Sequence, residues 1–158
     1  MSQGKHLPSI HVKHHKNTAN VETAIMPIPD VVKIDMSQSI GAPCKPLVQK
    51  GDKVKVGQKI GDTDAFVSAP VHSSVSGTVK DIIQVTGNMG RPETLVVIET
   101  DKNQEVSEEV KPPKADTFEE FIAGVRASGV VGLGGASFPT HIKLNPKNLE
   151  ECDTLIVN

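Results

Sequence analysis

The chain has no tryptophan, no tyrosine and only four phenylalanines among its 158 residues. It therefore lacks the aromatic platforms on which single-stranded nucleic acid stacks. It has no excess of positive charge either: 17 Lys and Arg stand against 19 Asp and Glu, with a pI near 6.3. No basic field is left to hold a phosphate backbone, so nucleic acid is excluded as a partner on both counts. Cysteine is scarce, with Cys44 and Cys152 far apart and in no CxxC spacing. This chain alone thus builds no zinc or iron–sulfur site, and a disulfide is unforced. There is no signal peptide and no apolar run of about 18 residues, so no transmembrane segment is expected. The default setting is soluble, reducing and cytoplasmic, with a membrane-bound partner left open.

What is present is organised in blocks, and the length allows one or two domains. Residues 1–30 are polar and broken by prolines, and they read as an extended arm. The arm carries His6, His11, His14 and His15. Imidazole binds metals, but no carboxylate or cysteine sits among these four to complete a shell, and a solvated arm is the simpler reading.

From Val31 to Thr100 short β-branched runs alternate with glycine-centred turns, and no helical period appears. A compact all-β unit is expected over 31–100. Two of its segments stand in a particular relation: Gly51-Asp52-Lys53-Val54-Lys55-Val56-Gly57-Gln58, and Ala69-Pro70 leading to Gly77-Thr78-Val79. The pair resembles the biotinyl and lipoyl hammerhead, a small β-sandwich or barrel-sandwich hybrid. In a carrier of that kind the modified lysine sits at the tip of the intervening hairpin. Here that hairpin reads Asp62-Thr63-Asp64-Ala65-Phe66-Val67-Ser68, and no lysine occurs between Lys59 and Lys80. Nothing is left to be acylated, so the unit reads as scaffold or docking module.

Residues 101–116 are charged, contain Pro112-Pro113 and have no apolar period, which is the composition of a linker. A helix should follow. Thr117 and Glu120 match a capping box, and Phe118, Phe121, Ile122 and Val125 share one helical face, where burial in a core is expected. Ser128-Gly129 ends it.

The densest glycine cluster comes next, GVVGLGGASFPTHIKL from Gly129 to Leu144. Gly132, Gly134 and Gly135 let main-chain N–H groups turn inward as an anion-binding nest. Pro139 is placed to begin a short helix from Thr140, and Lys143 adds a full charge. An ordinary tight turn accounts for the glycines alone equally well. The segment lacks the GK[ST] of a P-loop, and Ser137 stands where the last glycine of the dinucleotide fingerprint would be. ATP and a standard Rossmann site are disfavoured.

The combination Gly132, Gly134, Gly135, Ala136, Phe138, Pro139, Thr140, Lys143, Leu144 resembles the flavin-mononucleotide loop of the NADH-binding flavoprotein subunit of respiratory complex I. Joined to the hammerhead that precedes it, the chain is most similar to the RnfC family of the Rnf electron-transport complex. Some cobalamin-reductase flavoproteins share much of the second half. The resemblance runs from about Val31 to the end. It implies a mainly β fold with a partial α/β segment: a hammerhead, then residues 117–158 as the start of a Rossmann-like FMN- and NADH-binding domain.

By the same resemblance, Gly132, Gly134, Gly135 and Ala136 present backbone to the flavin phosphate and ribityl chain. Lys143 pairs with the phosphate, Phe138 stacks on the nicotinamide nucleotide, and Asn158 opens a further flavin contact. Leu133 replaces an arginine of the complex I loop, and Asn145-Pro146 replaces an aromatic. The parent activity implied is an ion-translocating ferredoxin:NAD oxidoreductase at the cytoplasmic face of the membrane, peripheral and docked to other subunits, with ferredoxin an indirect partner. FMN and NAD(H) would be its cofactors, and two 4Fe-4S clusters would lie beyond this chain. Thr154–Val157 reads as a central parallel strand. The sequence is accordingly read as the N-terminal portion of a longer protein, inactive on its own.

Overall fold

The structure is a computed structural model that describes residues 13–87, 90–154 and 156. Its first part is all β. Strands β1 (Val31–Asp35), β2 (Lys45–Pro46), β3 (Lys53–Val54), β4 (Lys59–Asp62), β5 (Val71–His72), β6 (Gly77–Thr86) and β7 (Pro92–Thr100) form two antiparallel sheets, ordered β1-β7-β6-β3 and β2-β4-β5.

β-Branched residues placed one in two along these strands supply the inner face of each sheet. Ile34, Val54, Val79, Val96 and Ile98 come from the larger sheet and Ile60 and Val71 from the smaller. With Met36, Cys44 and Val75 from the connections they make one buried core. Along β6, Gly77 and Val79 face inward, and then the phase changes. A bulge between Val79 and Asp81 sets Val79 opposite Ile98 and Asp81 opposite Val97. One extra residue, Lys80, turns the strand so that Ile82 packs against the core next. The barrel-sandwich architecture expected of the β unit is what the chain adopts.

Residues 101–107 are laced to this unit. The Asp101 N–H donates to Ser76 O and the Ser76 hydroxyl to Asp101 Oδ1, while the Glu105 N–H donates back to Ser76 Oγ. Val106 bridges to Val56 in parallel.

Helix α1 (Phe118–Ala127) starts on its capping box: Thr117 Oγ1 accepts from the Glu120 N–H and the Glu120 carboxylate accepts from the Thr117 N–H. The apolar stripe behaves otherwise than expected. Phe118 is 36% exposed and Phe121 40%, and the buried residue of α1 is Gly124. The helix makes its close contacts elsewhere, where Gly124 lies against Pro113 and Arg126 reaches the hammerhead. Packing is set by the bare backbone and the ion pair, and the two phenylalanines are left partly open to solvent.

A one-turn helix α2 (Thr140–Lys143) and a 3-10 turn at Leu149–Glu151 complete the described secondary structure. Thr154 and Ile156 pair with no strand, so the parallel strand expected at 154–157 is not formed by them; Leu155 and Val157 lie outside the described residues. No helix among the described residues is long and apolar enough to cross a membrane.

Candidate functional site: the glycine-rich loop

The loop between α1 and α2 is closed at its stem. The Gly132 N–H donates to Phe138 O at 2.9 Å, the Thr140 N–H to Val130 O at 3.1 Å, and Val131 bridges antiparallel to Pro139. Its crest, Leu133 to Ala136, is turned by one hydrogen bond from the Ser137 N–H to Gly134 O. Ser137 has φ +45°, a left-handed conformation that glycine adopts freely and serine does not. The loop thus keeps the bend of a glycine at the position where the dinucleotide fingerprint would have one, and carries local strain there.

Among the described residues, the amides of Leu133, Gly134, Gly135 and Ala136 donate to no protein acceptor. Gly134 and Gly135 do not adopt left-handed φ, and a Cβ at either would meet nothing within 4 Å. The fold itself therefore does not require glycine at these two positions; close approach by something outside the chain would.

Lys143 completes the set. A Cβ at Gly132 would come within 2.5 Å of Lys143 Nζ, so the bare Cα lets the ammonium lie against the loop. No carboxylate among the described residues pairs with it. A free ammonium, unpaired amides and open space above two glycines are the donor set of an anion site, and they fit a phosphate monoester. The structure sets Lys143 Nζ against Gly132, and Gly134, Gly135 and Ala136 follow along the same loop crest. Phe138 is half-buried, its carbonyl engaged in the stem, and Asn158 lies outside the described residues. His6 and His11 also lie outside them, while His14 and His15 are exposed.

The loop is held by the hammerhead through residues that motif reading does not single out. Arg126, in the last turn of α1, donates from Nη2 to Asp62 Oδ1 and to Thr63 O, each at 2.8 Å, and Lys59 Nζ reaches Asp62 Oδ2 at 3.0 Å. Burial pushes the Asp62 pKa up, but the hydrogen bonds from Arg126, Lys59 and the Thr63 N–H and the Arg126 charge outweigh it, leaving a pKa of about 2. Gly129, at φ +69°, turns the chain directly over Pro70 O and His72, where a Cβ would collide with the carbonyl at 2.6 Å. At the crest the Ile40 N–H donates to Ala136 O at 3.1 Å. Arg126 and Asp62 are 64 residues apart, and Ile40 is farther still from Ala136, so no local signal could have found these partners.

Two histidines sit beside this seam. Burial, then the Lys59 charge, lowers the pKa of His72; burial, then the Arg126 charge, lowers that of His141. His141 is buried in α2 with Nδ1 unpaired. A cavity of about 460 Å³ is walled by Gly57, Lys59, His72, Val110, Pro113 and Gly124.

Comparison with known proteins matches residues 6–103 to the RnfC barrel sandwich hybrid domain and residues 125–158 to the Nuo51 FMN-binding domain. The chain is 43% identical over 150 residues to the C component of the proton-translocating ferredoxin:NAD(+) oxidoreductase complex of Clostridium ljungdahlii, covering 90% of this chain and 32% of the relative. Against the counterpart from the Na(+)-translocating complex of Acetobacterium woodii the identity is 39% over 156 residues, 94% of this chain and 34% of the relative. The C component of the ion-translocating oxidoreductase complex of Rhodobacter capsulatus is 33% identical over 154 residues, 94% and 30% respectively. The chain spans about a third of the length of these relatives.

Proposed function

We propose, since the chain belongs to the RnfC family, that it supplies the FMN phosphate-binding loop and the hammerhead of a peripheral subunit in an ion-translocating ferredoxin:NAD oxidoreductase. The proposed organisation is an arm over 1–30, a hammerhead over 31–100, a linker over 101–116, and the start of the flavin- and nicotinamide-binding domain over 117–158. The observation that carries the reading is the unpaired Lys143 ammonium lying against Gly132, in a loop whose crest amides are free.

When bound, the flavin exchanges a hydride with the nicotinamide and electrons singly with iron–sulfur centres, chemistry that belongs to the cofactor. The residues of this chain bind and orient. Lys143 and the amides of Leu133 to Ala136 hold the phosphate, Gly134 and Gly135 admit the ribityl chain to the backbone, and Phe138 faces the nicotinamide nucleotide. Asn158 adds a flavin contact. No proton has to be moved by these groups. The 4Fe-4S clusters of this proposed activity are assigned to parts of the parent subunit other than this chain. The hammerhead, whose hairpin tip exposes Phe66 where a carrier would have its lysine, docks against other subunits on the cytoplasmic face.

Titrating the chain with FMN and following flavin fluorescence tests the reading. Saturable binding is expected, and Lys143→Gln should weaken it about tenfold to a hundredfold, the range of a charge-assisted phosphate contact. A wild-type chain that binds no FMN, or a Lys143→Gln variant that binds as tightly, overturns it.

A further inference from the structure

We infer that Asp62 is a positioning residue for the anion site: it fixes the last turn of α1 through Arg126, and with it the departure of the glycine-rich loop. This role rests on the proposed flavin loop and goes beyond what any motif carries. Asp62 closes β4, at the base of the hairpin that in a carrier would present the lysine. It is four-fifths buried and accepts from two cations, Lys59 on its own strand and Arg126 on α1. Arg126 uses the planar fork of its guanidinium, giving Nη2 to both Asp62 Oδ1 and Thr63 O and Nη1 to Asp62 Oδ2 at 3.4 Å. Such a fork fixes direction as well as distance, which a lysine at this position would not.

Two residues beyond the last residue of α1 the chain turns at Gly129 against Pro70 and His72, and three residues later it enters the loop at Gly132. The far side of the crest is tied to the hammerhead again, at Ile40. The loop is therefore suspended between two attachments to one rigid sandwich. Releasing the first leaves the departure of the loop, and with it the crest amides, free to shift.

The test uses the full chain in four forms: wild type, Asp62→Asn, Asp62→Glu, and Ile98→Val as a core variant that lowers stability without touching the seam. FMN affinity and amide hydrogen exchange of the free protein are both measured. The expected result is an FMN Kd raised about tenfold in Asp62→Asn, within the usual range for coupling between neighbouring sites, recovered in large part by Asp62→Glu and unchanged in Ile98→Val. Exchange over residues 129–137 should quicken in Asp62→Asn while β6 and β7 stay protected. Unchanged Kd and exchange in Asp62→Asn, or equal losses in Ile98→Val, overturn the positioning role. Should the wild type bind no FMN, the flavin reading falls by itself, and the exchange data alone decide whether Asp62 holds the loop.

Discussion

Ser137 shows how a single residue can record a compromise. Its left-handed φ serves a bend that glycine would make without strain, at a cost of about 1 kcal/mol for an L-residue. Replacing it by glycine relieves the strain but frees the unfolded chain, so Ser137→Gly should change stability by no more than about 1 kcal/mol in either direction. Ser137→Val, whose branched Cβ tolerates this conformation poorly, should lose about 2 kcal/mol. Chemical denaturation of the two variants separates the cases, and equal stabilities would remove the strain argument. In the sequence Ser137 registers only as a missing glycine, which excludes a nucleotide fingerprint. That the backbone still bends there as glycine would is invisible at that level, because conformation is not written in residue type.

At the level of elements, the capping box of α1 and the turns of the hammerhead are legible in the sequence because they depend on neighbours within a few residues. The helix face is not. Of the expected stripe Phe118, Phe121, Ile122 and Val125, the last two are half-buried but the two phenylalanines are exposed, while the close approach is made by Gly124 against Pro113 and the anchoring by Arg126. Periodicity reports which residues share a face, and only tertiary contact decides whether that face is covered. The consequence inverts the usual ranking of side chains by size. Phe121→Ser should cost under about 1 kcal/mol in this chain, as at an exposed site. Ile98→Ala, at a position with no exposure, should cost about 3 kcal/mol through the cavity it leaves. Thermal unfolding of both variants checks the order, and a larger loss for Phe121→Ser would reverse it.

For the molecule as a whole, acid stability should report on the seam between sandwich and loop. The Asp62 pKa is about 2 against an ordinary 3.8, so ionised Asp62 favours the folded chain by about 2 kcal/mol. That contribution is complete above the unfolded pKa and is lost as pH falls through 3.8 toward 2. His72 and His141, both lowered from 6.5, act at milder pH: below about 6.5 the unfolded chain takes up protons that the folded chain resists, and stability declines. Melting temperatures measured from pH 8 to 3 should therefore fall in two stages. The gap between wild type and Asp62→Asn, constant above pH 5, should narrow through the second. Parallel curves down to pH 3 would refute the assignment. The glycine cluster and Lys143 are legible as a candidate site because they are neighbours in sequence. The ion pair at the root of the loop joins residues 64 apart and becomes visible only once the chain is folded.

The pairing of β1 with β7 has one more consequence, for the order in which the chain is made. Val31 lies opposite Glu99 and Asp35 opposite Leu95, so the first strand waits unpaired until the last has left the ribosome. Such distant partners make closure of the sandwich a late, slow and all-or-none step. Residues 117–144 emerge only after every strand of it has been synthesised. The glycine-rich loop is made after all the strands to which it will be tied.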